Sequence, residues 1–161
     1  MDNGHSVAMA LREAYWTMHR QADASLLPAD VTANQFVLLS LLNESDAITQ
    51  RELVERASSD ANTVRAMLLV LERKGLITRN AHPTDRRAWS VCLSPQGRRI
   101  YRRMWQETNR FREQLIAEFK PQEIDTLLKL LGRLTNNMSA NDKHIDPQPP
   151  QTKRSVSPQT F

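Results

Sequence analysis

A single cysteine, Cys92, stands among 161 residues. It has no partner for an intramolecular disulfide and cannot supply a cysteine-based zinc site, so neither a disulfide-stapled secreted fold nor a cysteine zinc module is available to this chain. The four histidines, His5, His19, His82 and His144, are scattered, and none lies within a helical turn of another histidine or of the cysteine. No metal pair forms that way. Glycine is equally sparse: Gly4, Gly75, Gly97 and Gly132 build no phosphate-cradling loop. No uninterrupted apolar run is long enough to span a bilayer, and no basic segment followed by an apolar core opens the chain. The composition therefore predicts a cytoplasmic, non-membrane protein without metal or cofactor, and no constellation of nucleophile, base and orienting acid speaks for an enzyme.

The charge is unevenly spread. The formal net charge is +4, from 22 Lys+Arg against 18 Asp+Glu. Residues 1–46 hold two basic and six acidic groups, whereas residues 47–99 hold ten basic and five acidic. A basic centre behind an acidic N-terminal part predicts a surface that meets an anion such as nucleic acid.

Periodicity divides that centre into elements. Val7, Leu11, Ala14, Tyr15, Met18 and Ala22 recur at spacings of three and four, giving a helix over about 6–25. Thr32-Ala33-Asn34-Gln35 and Thr49-Gln50-Arg51-Glu52 are capping boxes. The first opens a strongly apolar helix through Leu42, the second a helix of about two turns. Ser58 and Ser59 supply a turn, Asp60 is a good N-cap, and Val64, Met67, Leu68 and Leu71 mark one face of a helix that stops at Gly75. This pair reads as a helix-turn-helix. Ile77-Thr78-Arg79 and Trp89-Ser90-Val91-Cys92-Leu93 read as two strands of a hairpin, with Trp89, Val91 and Leu93 on one face and a basic tip between. Leu69 and Val70 are apolar outside the helix's inward stripe, and one of them is expected to pack under this hairpin. Ser94-Pro95 caps a helix expected to run to about Lys120, and Ile124, Leu127, Leu128, Leu131, Leu134 and Met138 line a last one. Residues 141–161 hold four of the eight prolines and little apolar content, so a disordered tail is expected there.

The expected fold is mainly α with a small two-stranded β wing: a winged helix-turn-helix lobe over about 32–93 and flanking dimerisation helices over about 6–25 and 95–138, all within residues 1–140. The blocks VTANQFVLLSLL, TQRELVERASSDANTVRAMLLVLERKGLITR and HPTDRRAWSVCLSPQG resemble, in that order, the second helix, helix-turn-helix and wing of the MarR family of bacterial transcription regulators. The resemblance implies a homodimer on double-stranded DNA, with recognition helices in successive major grooves and wings in the flanking minor grooves. It implies that Asp85 orients Arg87 into the minor groove, although His82 and Thr84 depart from the family's usual wing tip.

From the residues themselves, a helix starting at Asp60 leaves Ala61, Asn62, Thr63, Arg65 and Ala66 on its N-terminal, outer surface, and Asp60, Ala61, Asn62, Thr63 and Arg65 are the DNA-binding residues expected there. Asn suits adenine, Arg suits guanine, and a Thr methyl or Ala meets the thymine methyl. Arg79 and Arg86 are expected at phosphates, where a guanidinium serves well. The first helix and the helix over 124–138 carry more apolar surface than a monomer leaves wet, which predicts a homodimer. Many relatives bind aromatic acids in a crevice beside the lobe. Here Tyr15, Trp16 and His19, with Phe36 or Leu39, offer an apolar pocket with polar groups for a small aromatic effector. The expected function is a dimeric DNA-binding regulator, a repressor, on a pseudo-palindromic operator. The alternative is a non-regulatory architectural or protein-binding winged helix.

Overall fold

The computed structural model describes residues 2–45, 47–81 and 89–142. Among the described residues seven α-helices are formed: α1 (Asn3–Leu26), α2 (Ala33–Glu44), α3 (Gln50–Arg56), α4 (Ala61–Arg73), α5 (Pro95–Glu107), α6 (Asn109–Ile116) and α7 (Pro121–Asp142). Three short strands, β1 (Ile48–Thr49), β2 (Ile77–Ala81) and β3 (Trp89–Leu93), and a single 3-10 turn, Leu27–Ala29, complete the order among these residues. The chain divides into two units, residues 1–117 and 118–161.

The first unit is built around leucine. Leu38, Leu39, Leu53, Leu68 and Leu71 are fully buried, and Val64 and Met104 join them. Each such side chain contributes on the order of 1.5–3 kcal/mol by leaving water. Both capping boxes form as expected: Thr32 accepts from the Gln35 N–H and Thr49 from the Glu52 N–H, while Gln35 and Glu52 reach back to the cap backbone. Those interactions fix where α2 and α3 begin.

Two elements differ from the sequence-based expectation. The wing's sheet has three strands, in the order β1-β3-β2, all antiparallel, because Ile48 and Thr49 pair with Val91 and Ser90. A two-residue strand that runs straight into a helix cap has no alternation to read. With β3 central, its burial does not alternate cleanly: Ser90 is buried and donates to the Asn80 carbonyl, whereas Trp89 is 62% exposed. The other difference is the expected single helix over 95–120, which is broken at Thr108 into α5 and α6. Thr108 turns its hydroxyl onto the Met104 carbonyl at 2.8 Å and adopts φ −82°, ψ 3°. A threonine that satisfies its hydroxyl on the preceding turn bends a helix.

The second unit contributes α7. Its apolar residues Leu127, Leu128, Leu130, Leu131 and Met138 are exposed. The expected tail, 141–161, falls almost wholly outside the described residues. Among the described residues no single helix is long and apolar enough to cross a membrane.

Candidate nucleic-acid interface and adjoining pocket

The helix-turn-helix is made by α3 and α4 with the turn 57–60 between them. Ser58 takes a left-handed conformation, φ 48°, and reverses the chain. Asp60 then caps α4, its carboxylate accepting the Thr63 N–H at 2.9 Å. The hydrogen bonds from the side chain and backbone of Thr63 hold the Asp60 carboxyl below its ordinary value. At the far end Gly75, at φ 68°, stops the helix in a Schellman turn: the Leu76 N–H reaches the Leu71 carbonyl and the Gly75 N–H the Glu72 carbonyl.

Between these stops α4 is two-faced. Val64, Leu68 and Leu71 have no exposed surface, whereas Ala61, Asn62, Thr63, Arg65 and Ala66 are all exposed. The exposed set occupies the N-terminal half of the helix, where the N–H dipoles point outward and favour an anion. Of the two extra apolar residues, Val70 is half-buried and Leu69 is 45% exposed. Arg51 on α3 adds an exposed guanidinium, paired with Glu55 one turn on.

Asp60 has a structural duty that separates it from the five exposed residues after it. Its stabilising contribution is present above the ordinary carboxyl pKa and is lost as the pH falls through the lowered one. Asp60→Asn keeps a good N-cap while removing a negative charge from the phosphate-facing end. Its thermal melt at neutral pH should lie slightly below wild type, nearer to it than that of Asp60→Ala, and its affinity for duplex DNA should equal or exceed wild type. Asp60→Ala should melt lower, with fraying of α4 visible in hydrogen exchange.

The wing residues divide. Arg79 lies on β2, but its Nε faces the Glu72 carboxylate of α4 at 3.2 Å and the side chain is only 23% exposed. The strand register brings it back against the last turn of the helix, so its immediate partner is α4 rather than open solvent. Asp85, Arg86 and Arg87 lie outside the described residues.

An apolar pocket of about 240 Å³ lies between α1, α2 and α6. Tyr15, His19 and Phe36 line it, and Met18, Ala22, Val37, Thr108, Phe111 and Arg112 are further lining residues. Trp16 and Leu39, grouped with them in the sequence, do not line this pocket. Trp16 is one residue on from Tyr15, so helical rotation carries it to a neighbouring groove with Arg12, Glu13 and Arg20. Leu39 is fully buried in the core, one turn beyond Phe36. His19 is held on both sides, by Asp23 at 3.2 Å and Asn34 at 3.3 Å, and Asp23 also accepts the Ala33 N–H at 2.6 Å. That network fixes α1 to the start of α2. Tyr15, Trp16 and His19 do form one ring cluster, with centroids 5.5 to 6.2 Å apart. The α6 side of the pocket is hidden in the sequence by the expectation of one continuous helix, and Arg112 with it.

Two helices set at a turn, the second capped at both ends and followed by paired strands, define a winged helix-turn-helix protein. Residues 31–89 match the model of the MarR family. The multiple antibiotic resistance protein MarR of Salmonella typhimurium is 33% identical over 110 residues, which cover 68% of this chain and 76% of that protein. The chain belongs to the MarR family of transcription regulators. Among solved structures, a cysteine-to-serine mutant of MarR from E. coli complexed with operator DNA is 27% identical, with a TM-score of 0.74 over 80% of this chain and 93% of that one. BpsR of Bordetella bronchiseptica, whose DNA binding is regulated by 6-hydroxynicotinic acid, is 26% identical, with a TM-score of 0.74 over 80% of this chain and 92% of that one.

Proposed function

We propose that the protein is a transcription repressor that binds a pseudo-palindromic operator as a homodimer and is released by a small aromatic effector. The observation that carries the DNA reading is the division of α4: three side chains locked in the core, and beside them Asn62, Thr63 and Arg65 exposed at the helix's N-terminal end. That end of a recognition helix contacts base edges when it enters a major groove. Arg87, outside the described residues, reaches the flanking minor groove, with Asp85 orienting it and Arg86 at a phosphate. Arg79 serves from behind, holding β2 to α4.

Dimerisation is supported by the apolar residues that α1 and α7 leave exposed, among them Val7, Met9, Leu128 and Met138. A second copy related by a two-fold axis covers them. Release is supported by the pocket lined by Tyr15, His19 and Phe36, and by the regulation of the relative BpsR by an aromatic acid. The effector acts by binding better to the dimer whose lobes are wrongly spaced for DNA.

Light scattering and DNA titration across salt test this together. A dimer at micromolar concentration is expected, with DNA affinity falling steeply as salt rises because each phosphate contact releases counterions. A monomer, or affinity insensitive to salt, would overturn the proposal.

A further inference from the structure

Trp89 is the most exposed of the three tryptophans, at 62%. It opens β3, where the strand register sets it opposite Ala81 and sets Val91 opposite Arg79. Directly paired residues of antiparallel strands share a face, as do alternate residues along one strand. Trp89, Val91, Arg79 and Ala81 therefore stand on the same side of the sheet. That side is turned to α4, because Val91 is buried and the Arg79 guanidinium meets the Glu72 carboxylate at 3.2 Å. Along α4, Arg65, Leu69 and Glu72 follow one another on one stripe at spacings of four and three. Leu69 is exposed there. The angle between helix and wing thus has an ion pair at its vertex, Leu69 on the helix side, Trp89 on the strand side and Arg65 one turn beyond Leu69.

We propose that a strand of the DNA backbone lies in this angle, with the indole of Trp89 and the side chain of Leu69 packed against its deoxyribose rings. The proposal rests on the reading of α4 as the base-reading helix. A lobe with α4 in a major groove and its wing at the adjoining minor groove straddles the backbone strand between the two, and the side chains in the angle face that strand. Deoxyribose offers C–H surface, so both apolar side chains lose their contact with water there. The indole Nε1–H is a donor and suits a phosphate oxygen at the edge of the same contact. Arg79 offsets the charge of Glu72, so the vertex does not repel the phosphates. Arg86 and Arg87 precede Trp89 by three and two residues in the sequence, and charge of the sign that a phosphate strand requires adjoins the indole in the chain.

An uncharged contact of this kind has its own signature. Sugar and phosphate contacts seat the protein on the duplex and carry no base information. Counterion release counts only the groups that neutralise phosphates. Trp89 therefore adds affinity alike on every sequence, and adds it without steepening the dependence on salt.

Anisotropy titrations of the full chain against a labelled duplex selected for binding and a scrambled one, each over a range of salt, test this. Trp89→Ala should weaken both duplexes by about tenfold. Its salt slope should equal that of wild type, whereas the loss of a phosphate contact lowers the slope by about one. Trp89→Phe should keep most of the affinity, and Leu69→Ala should lose about threefold with the same signature. In Trp16→Phe/Trp105→Phe, where Trp89 is the only tryptophan, its emission should change on addition of either unlabelled duplex. Unchanged emission, unchanged affinity of Trp89→Ala or a lowered salt slope overturns the sugar contact and leaves the DNA reading standing. A loss confined to the selected duplex makes the indole a base reader and overturns it as well. Loss of the dimer in Trp89→Ala, seen by light scattering, assigns the indole to a second copy of the chain instead. If wild type binds neither duplex, the DNA reading falls and this inference with it.

Discussion

Gly97→Ala should prevent the protein from folding stably. A Cβ at this position would lie 1.9 Å from the Leu76 carbonyl oxygen and 2.9 Å from its carbon. Both atoms are backbone, in the turn that ends α4 and starts β2, so no side chain can swing aside. The first turn of α5 is fixed in place by Ser94, whose hydroxyl accepts the Gly97 N–H at 2.9 Å while donating to Gly75. Relief of the clash would have to pull α5 from the α4–β2 turn and break both bonds. Overpacking that requires backbone movement costs about 3 kcal/mol or more, against a total stability on the order of 5–15 kcal/mol for a domain of this kind. Circular dichroism should show a melt lowered by well over ten degrees or no cooperative transition. Gly132→Ala is the matched control: nothing lies within 4 Å of the added atom. It should melt at or slightly above the wild-type temperature, because alanine is the better helix former.

The second large effect is expected at the base-facing end of α4. Asn62→Ala and Arg65→Ala should each weaken binding to a preferred duplex by about 1–3 kcal/mol, roughly five- to 150-fold. Binding to a scrambled duplex should change much less, so that sequence preference falls along with affinity. Arg99, exposed on α5, is the comparison. Its replacement removes a charge of the same type from outside the proposed base-reading surface, and should lower affinity slightly and equally for both duplexes. Equal losses for Arg65→Ala and Arg99→Ala on both duplexes would mean that the helix contributes charge alone. Folding is not at issue in these variants, because Asn62 and Arg65 are exposed.

Which of these residues can be read from the sequence depends on how local their determinants are. Thr32, Thr49, Asp60 and Ser94 cap helices through atoms three residues away, so their short motifs are sufficient. The inward set Val64, Leu68 and Leu71 is periodic over a long helix and equally legible. By contrast, β1 owes its existence to pairing with Val91 and Ser90, more than forty residues on, and its two residues carry no pattern. The break at Thr108 depends on how one hydroxyl and the Arg112 guanidinium share the carbonyls at the end of α5. Nothing in the apolar spacing of 101–119 announces that choice. The pocket shows both situations: Tyr15 and His19 are found from one helix, but their facing wall on α6 appears only when the chain is folded. Arg79 reads as a basic strand residue available to phosphate, and only the register of β2 against α4 shows that Glu72 already holds it.

Selection of bound duplexes from a random pool, followed by sequencing, addresses the central claim most directly. A dimer that reads bases through the N-terminal end of α4 should enrich a pseudo-palindrome whose half-site centres lie about one helical turn, roughly 10 base pairs, apart. Repeating the selection with Asn62→Ala and Arg65→Ala should blur the same symmetric positions in both half-sites. A pool that binds without enrichment, or enriches a motif with no two-fold symmetry that neither substitution alters, would contradict the account and favour an architectural DNA-binding role.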